Sequence, residues 1–152
     1  MLKIRKYQPA DFSRLMEIDH ACFVEGIAYP EEEMLHFLGL SSANTLVAAG
    51  KDKIQGFIIT DRFRARRSPE LMGRIITIDV APEAQHSGLG SRLLGQAEKE
   101  LKEAGCGSVL LEVAVDNEKA LKFYKKHGYS VLKALPKYYM GTIDGLLMGK
   151  RL

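Results

Sequence analysis

The chain has 152 residues, 46% of them hydrophobic, which is the size of one domain that can bury a core without disulfide or metal support. Its 22 Lys and Arg against 19 Asp and Glu give a formal net charge of +3, too small to indicate a nucleic-acid-binding protein but compatible with an anionic ligand. Cys22 and Cys106 lie far apart and belong to no Cys-x-x-Cys or Cys/His pattern, which argues against a disulfide framework and predicts no metal site.

The amino-terminal segment lacks the pattern of a targeting signal. Met-Leu-Lys-Ile-Arg-Lys-Tyr carries charges where a signal sequence is apolar, and no other stretch approaches membrane-spanning length. The isolated cysteines fit a reducing compartment. We therefore expect a cytoplasmic protein that forms a single domain over residues 1–152 and has no membrane partner.

The first half of the chain predicts a strand, two helices and two more strands. Residues 2–5 have the pattern of a short strand, and Pro9-Ala10-Asp11 opens a helix whose apolar residues continue to Cys22. A second helix should begin after Pro30, where three glutamates at 31–33 suit the positive end of the helix dipole. Strands at residues 45–49 and 54–60 are separated by a Gly-Lys-Asp-Lys turn.

The second half predicts alternating strands and helices. A nearly continuous run of Ile, Thr and Val at residues 73–80 predicts a strand buried on both faces. The elements that follow are a helix at 88–104, a strand at 108–113, a helix at 118–127 and strands at 129–135 and 145–150. This order predicts an α/β fold with a mixed, mostly antiparallel central sheet of six to seven strands and helices on both faces.

The densest basic cluster is Arg-Phe-Arg-Ala-Arg-Arg at residues 62–67. It follows a strand pattern and precedes Ser68-Pro69, which favours a solvated hairpin loop. A phosphate-binding patch is the alternative. This cluster is the sole support for a nucleic-acid partner, which we do not expect.

Two glycines mark the start of the helix that follows the buried strand. In Val-Ala-Pro-Glu-Ala-Gln-His-Ser-Gly-Leu-Gly, residues 80–90, Gly88 and Gly90 would let a phosphate approach the N–H groups of a helix N-terminus. An ordinary turn with a flexible cap is the alternative. The spacing is neither GxGxxG nor GxxxxGK[ST], which disfavours a dinucleotide fold and a P-loop and indicates another phosphate-bearing cofactor.

Two motifs at the right separation resemble the GCN5-related N-acetyltransferase (GNAT) superfamily. The residues that match its Val-x-Pro and Gln/Arg-x-x-Gly-x-Gly/Ala pattern are Val80, Pro82, Gln85, Gly88 and Gly90, and residues 111–129 are similar to LxVxxxNxxAxxxYxxxGF. The resemblance implies the GNAT fold and acetyl-coenzyme A (acetyl-CoA) as the cofactor. Gln85 departs from the commoner arginine and removes a charge near the phosphates, and Tyr129 departs from phenylalanine, which should affect packing only.

The resemblance also assigns the cofactor contacts. The residues implied at the pyrophosphate are Gln85, His86, Ser87, Gly88, Leu89, Gly90 and Ser91. At the splayed end of the preceding strand, backbone groups of Ile78, Asp79 and Val80 would face pantetheine and the thioester oxygen, and a bulge there would provide the opening. The later helix would add Asn117, Ala120, Phe123 and Tyr124. Asn117 also suits a helix cap, and the two roles can coexist.

Two side chains are candidates for proton transfer. Tyr124 matches the family's tyrosine beside the coenzyme sulfur, where it would act as general acid, with a core aromatic as the alternative. Glu112 interrupts an apolar strand, where a carboxylate needs water, a partner or a raised pKa. In the ribosomal-protein-modifying branch, a glutamate at this Leu-Glu-Val position is linked to deprotonating the substrate amine through water. Asp79 and His86 are the competing candidates for this base.

The segments at both ends of the chain narrow the choice of acceptor. Pro136-Lys137-Tyr138-Tyr139, with Asp144, Met148 and Leu152, is similar to the closing segment of protein N-terminal acetyltransferases, where a loop with paired tyrosines packs over the substrate peptide. The Ala28-Tyr29-Pro30-Glu31 turn resembles their first substrate loop.

These similarities imply an acceptor that is the N-terminus of a protein or peptide. The substrate contacts implied are Tyr29, Glu31, Tyr138 and Tyr139. A small amine such as a polyamine or aminoglycoside, a protein lysine, and a noncatalytic acyl-CoA-binding module are the alternatives. We expect a monomer or a weak homodimer.

Overall fold

Seven strands and four helices make up the fold in a computed structural model that describes residues 2–152. In chain order they are β1 (Lys3–Lys6), α1 (Phe12–Cys22), α2 (Glu31–Gly39), β2 (Asn44–Ala49), β3 (Ile54–Arg64), β4 (Leu71–Val80), α3 (Leu89–Glu103), β5 (Ser108–Ala114), α4 (Glu118–Lys126), β6 (Ser130–Tyr139) and β7 (Ile143–Arg151). Short 3-10 turns at Pro9–Asp11 and Pro82–Ala84 precede α1 and follow β4. The strands form one sheet in the order β1-β2-β3-β4-β5-β7-β6. Among the described strands, β4 and β5 make the one parallel pair, so the predicted mixed and mostly antiparallel sheet is confirmed.

Helices cover both faces of the sheet, as the sequence predicts. The apolar residues of α3 recur at helical spacing and are buried with those of α4 in one core: Leu89, Leu93, Leu94, Ala97, Leu101 and Tyr124. The opposite core contains Leu15 and Ile18 of α1 and Met34 of α2, packed on Val47, Phe57 and Ile59. Burial of these apolar stripes against the two sheet faces therefore accounts for the three-layer arrangement.

The two parallel strands separate soon after they begin. β4 and β5 pair only at Met72, Gly73 and Arg74, opposite residues 108–110. Beyond this point β4 continues along β3, whereas β5 pairs with β7. A cleft therefore opens between the carboxyl-terminal halves of β4 and β5.

A bulge in β4 lies just past the point of separation. Thr77 pairs with Ile59 and Ile75 with Thr60, so Ile76 is an extra residue on β4. The bulge was predicted two residues later, at Ile78 to Val80. Because one extra residue reverses the alternation of side chains, Ile78 beyond the bulge packs in the core beneath α3, while Asp79 points toward α1.

Three sequence predictions about local structure need correction. β4 is not buried on both faces, because Ile76, Ile78 and Val80 are half-buried and line the cleft. The basic cluster is only partly a loop, since β3 continues to Arg64 and the turn begins after it. Its arginines are exposed, as predicted for a solvated hairpin. The paired tyrosines lie at the end of β6 rather than in a loop, because β6 pairs with β7 up to Tyr139 opposite Ile143.

Candidate active site

A cleft of about 860 Å³ occupies the space where β4 and β5 separate. Most residues predicted from the sequence line it: Ile78, Val80, Gln85, His86, Gly88, Leu89, Gly90, Ser91, Glu112, Asn117, Ala120, Phe123 and Tyr124, together with Tyr29 and Tyr139. Four predicted residues are outside the lining, namely Glu31, Asp79, Ser87 and Tyr138. The fold therefore brings the two motifs, which are separated by a whole helix and strand in sequence, to one cavity.

The start of α3 presents backbone N–H groups at one end of the cleft. Gly88 caps the helix with φ at +82°, a left-handed conformation that glycine adopts without strain. The N–H of Arg92 donates to the carbonyl of Gly88 at 3.2 Å and makes the first hydrogen bond of the helix. The N–H groups of residues 89–91 precede this bond and have no acceptor within the helix. These donors and the positive end of the helix dipole suit an anionic group such as a phosphate.

Gly90 keeps the wall of the cleft open beside this helix start. A Cβ added there would lie 3.3 Å from the Phe123 ring and 3.8 Å from a methyl group of Val80. Any larger side chain would occupy the space between α3 and α4. The second glycine of the motif is therefore explained by close packing at the cleft.

The side chain of Gln85 ties the loop to both neighbouring elements. Its Nε2 donates to the carbonyl of Val80 at 3.1 Å, and its Oε1 accepts from Lys119 Nζ at 3.1 Å. Lys119 therefore brings a cation to the loop that lacks the family's commoner arginine. Sequence reasoning missed Lys119 and Lys126, which also lines the cleft, although both belong to the second motif.

Tyr124 is buried and forms part of the cleft wall. Its ring packs edge-on against Phe123 at 5.5 Å and Tyr129 at 5.6 Å. Its phenolic oxygen has no hydrogen-bond partner among the side chains of residues 2–152. Burial, with a smaller contribution from the nearby Asp79 carboxyl, raises the pKa of Tyr124 above its ordinary value. The phenol therefore keeps its proton throughout the neutral range.

Asn117 caps the first turn of α4, the helix that carries Tyr124. Its Oδ1 accepts the N–H of Ala120 at 3.1 Å, which is the capping role expected from the sequence. The same residue also lines the cleft. Capping and ligand contact are therefore compatible in this geometry.

Glu112 lies on β5 in a polar environment that the sequence did not reveal. Its Oε2 accepts from Arg74 Nη2 at 3.1 Å, across the parallel strand pair. The two side chains are 21% and 41% exposed, so the ion pair contributes little to stability, about 0–1 kcal/mol. The Glu112 side chain is therefore partly accessible to solvent and lines the cleft, whereas His86 is exposed on the loop.

The end of the cleft opposite the α3 helix start is lined by aromatic and aliphatic side chains. Tyr29 Oη donates to the carbonyl of Ile76 at 3.2 Å, and its ring packs edge-on against Phe37 of α2 at 5.3 Å. Burial raises the pKa of both Tyr29 and Tyr139. Sequence reasoning missed the apolar residues at the end of α1, in the segment after it and in β7: Cys22, Phe23, Val24, Ile27 and Ile143.

Within residues 2–152, no helix is long and apolar enough to cross a membrane. No group of three or more His, Cys, Asp or Glu side chains there is arranged to hold a metal ion.

Comparison with known proteins gives concordant matches. Residues 12–129 match the model described as the Acetyltransferase (GNAT) family. An uncharacterized N-acetyltransferase of Methanocaldococcus jannaschii is 32% identical over 149 residues, covering 97% of this chain and 90% of that protein. An N-alpha-acetyltransferase of Sulfurisphaera tokodaii is 29% identical over 147 residues, covering 90% of this chain and 88% of that protein. The crystal structure of Ard1 from Thermoplasma volcanium has a TM-score of 0.87 at 26% identity, covering 99% of this chain and 97% of that one.

Proposed function

Because the chain belongs to the Acetyltransferase (GNAT) family, we propose that it acetylates the N-terminal α-amine of a protein or peptide. The family and fold predicted from the two motifs are confirmed, and the chain is an acetyl-CoA-dependent N-acetyltransferase. The acceptor is the part that is proposed. We call the end of the cleft opposite the α3 helix start its amine end. The observation that carries the proposed acceptor is that Tyr29 and Tyr139, from two separate segments, line this end and flank Glu112 and Tyr124.

The cleft has the features that acetyl-CoA requires. Backbone N–H groups of residues 89–91 would hold the pyrophosphate, with Lys119 supplying positive charge beside them. Ile78, Val80 and Asn117 would hold the pantetheine arm along the opening between the strands. When bound, acetyl-CoA supplies the acetyl group as a thioester.

The proton transfers are assigned to two side chains on different walls of the cleft. Tyr124 Oη holds its proton because burial raises its pKa, so it can donate that proton to the leaving sulfur. The Glu112 carboxylate, partly exposed and held by Arg74, can receive the proton of the amine through a water molecule. An α-amine has a pKa of about 7.7–8.0, compared with about 10.4 for lysine, so a base acting through water is sufficient.

Acetyl-CoA should raise the melting temperature of the protein, and ATP and NAD should raise it much less. A ligand present at 100 times its Kd, and bound only to the folded state, stabilises by about 2.7 kcal/mol. Gly90→Val should abolish most of the shift because its side chain fills the wall beside Phe123. The matched control is Gly95→Val on the same helix, where an added Cβ meets nothing within 4 Å. Differential scanning fluorimetry measures the shift of each of the three proteins with each of the three ligands, and equal shifts of the wild type with acetyl-CoA and ATP would contradict the cofactor site.

Peptides with a free α-amine should be acetylated, and the same peptides with a blocked α-amine should not. Each peptide contains an internal lysine, so that intact mass and fragment ions separate α-amine from side-chain acetylation. A panel of polyamines and aminoglycosides is assayed at the same concentrations. Faster turnover of a small amine, or acetylation of the blocked peptides at lysine, would overturn the proposed acceptor while leaving the enzyme class intact.

A further inference from the structure

Two aspartates meet in the core beneath the cleft, between α1 and the end of β4. Asp19 and Asp79 are 0% and 1% exposed, and neither lines the cleft. Asp79 is a predicted backbone contact of the cofactor and a candidate base, whereas no sequence pattern indicates a role for Asp19. Two ionised carboxylates at this depth would repel each other without solvent to screen them.

Each carboxyl group has one conventional hydrogen-bond donor. Asp79 Oδ1 accepts from Thr77 Oγ1 at 2.5 Å, and Asp19 Oδ2 accepts from the backbone N–H of Tyr29 at 2.7 Å. The remaining oxygens, Asp19 Oδ1 and Asp79 Oδ2, are buried and have no hydrogen-bond partner in the described residues. The two carboxyl groups are close enough to interact, and a proton on one of them would let it donate to the other and satisfy both oxygens.

We propose that Asp19 and Asp79 share one proton and act as a positioning pair that fixes Tyr29 at the amine end of the cleft. Asp79 is the protonated member and donates to Asp19, which in turn accepts the Tyr29 N–H. Tyr29 is fixed a second time by its hydroxyl on the carbonyl of Ile76 at the bulge. The segment between α1 and α2 is thereby attached at two points of Tyr29, with its hydroxyl bonded directly to β4 and its backbone N–H bonded to Asp19 of the pair.

Burial, and then the hydrogen bond and charge of Asp19, raise the pKa of Asp79 well above its ordinary value, while Thr77 lowers it. The folded state therefore binds a proton that the unfolded chain releases at about pH 4. Between about pH 4 and the raised pKa of Asp79, the folded state holds more protons than the unfolded state. Stability therefore falls as pH rises through this range and becomes constant once Asp79 ionises in the folded state. The other groups around the pair that carry or acquire charge are His20, Cys22, Tyr29, Glu33, Arg74, Lys119 and Tyr124.

The neighbours with shifted pKa values do not titrate between pH 5 and 8. Burial raises the pKa of Cys22 to about 12 and raises those of Tyr29 and Tyr124 as well. The remaining groups are the same in the wild type and in an Asp79 variant, so their effects cancel when the two pH profiles are subtracted. The difference between two pH profiles therefore isolates the acid pair.

Asp79→Asn reproduces the protonated acid, because its amide can donate to Asp19 and its oxygen can accept from Thr77. The variant should keep the fold. From pH 5 upward, the ratio of its folding equilibrium constant to that of the wild type should increase by up to about tenfold per pH unit. Asp79→Ala should lose stability at every pH, because it leaves Asp19 buried without its donor. Urea unfolding at several pH values measures this, and parallel profiles for the wild type and Asp79→Asn would overturn the shared proton.

Amide hydrogen exchange at Tyr29 tests the positioning without any substrate. Protection of this N–H should persist in Asp79→Asn and fall at least tenfold in Asp79→Ala, because the acceptor Asp19 loses its fixed position. Protection that is equal in both variants would overturn the role of the pair in holding Tyr29. Exchange at amides of β5, remote from the pair, serves as the internal control.

The kinetic consequence rests on the proposed peptide substrate. Asp79→Ala should raise the KM for peptide about tenfold with the acetyl-CoA melting shift intact, and Asp79→Asn should restore KM to within about twofold of the wild type. A 100-fold loss of kcat in Asp79→Asn, at unchanged KM and stability, would make Asp79 part of the chemistry and overturn the positioning role. If the wild type acetylates no peptide, the proposed function fails, while the unfolding and exchange experiments still decide the acid pair.

Discussion

Tyr124→Phe should lower kcat by roughly 100-fold while leaving the affinity for acetyl-CoA nearly unchanged. The substitution keeps the ring and its edge-on contacts with Phe123 and Tyr129 but removes the phenolic O–H that faces the cleft. The sulfur must then leave without a positioned proton donor. Single-turnover rates measure this step directly, and raising the pH should not restore it.

Tyr129→Phe is the matched control for this loss. Tyr129 is also a buried tyrosine, but its hydroxyl donates to Glu98 at 2.7 Å and lies outside the lining of the cleft. This control should lose about 1 kcal/mol of stability with little change in kcat. Wild-type single-turnover rates in Tyr124→Phe would remove Tyr124 from the mechanism and leave it a packing residue.

Glu112→Gln should shift the acid limb of kcat/KM to the pKa of the free α-amine, about 7.7–8.0. Without a proton acceptor, only the fraction of amine already deprotonated in solvent reacts. At pH 6.5 this fraction is roughly one in twenty, so the loss at that pH is roughly 20-fold and disappears toward pH 9. Rescue by pH therefore distinguishes this variant from Tyr124→Phe.

Arg74→Gln separates loss of the carboxylate from loss of the ion pair. Arg74→Gln and Glu112→Gln both break the 3.1 Å contact between the two side chains, but only Glu112→Gln removes the proton acceptor. Arg74→Gln should therefore keep the wild-type acid limb. An acid limb that moves equally in both variants would assign the effect to the ion pair, and one that moves in neither would exclude Glu112 as the base.

The sequence alone was sufficient for features that depend on neighbours along the chain. The apolar spacing of α3, the capping Asn117 and the glycine at the left-handed position 88 each act within one or two helical turns. Such local patterns have the same physical meaning in any fold. The order of the elements predicted the mixed sheet and the helices on both faces, and the resemblance of the two motifs to the GNAT superfamily implied most of the cleft lining.

The extent of some strands could not be read from local pattern. β6 has no buried residue, so its alternation is weak, and only its pairing with β7 shows that it continues to Tyr139. The bulge at Ile76 was misplaced for the same reason, because a bulge is defined by the partner strand.

The electrostatic partners were decided by tertiary structure alone. Arg74 meets Glu112, Lys119 meets Gln85, and Asp19 meets Asp79 across distances of 34 to 60 residues in sequence. Charge interactions depend on distance in space and on local exclusion of water, and neither quantity is encoded in any one segment. The sequence therefore determined which chemical groups this enzyme has, and the packing of α1, β4, β5 and α4 determined which of them lie close enough to interact.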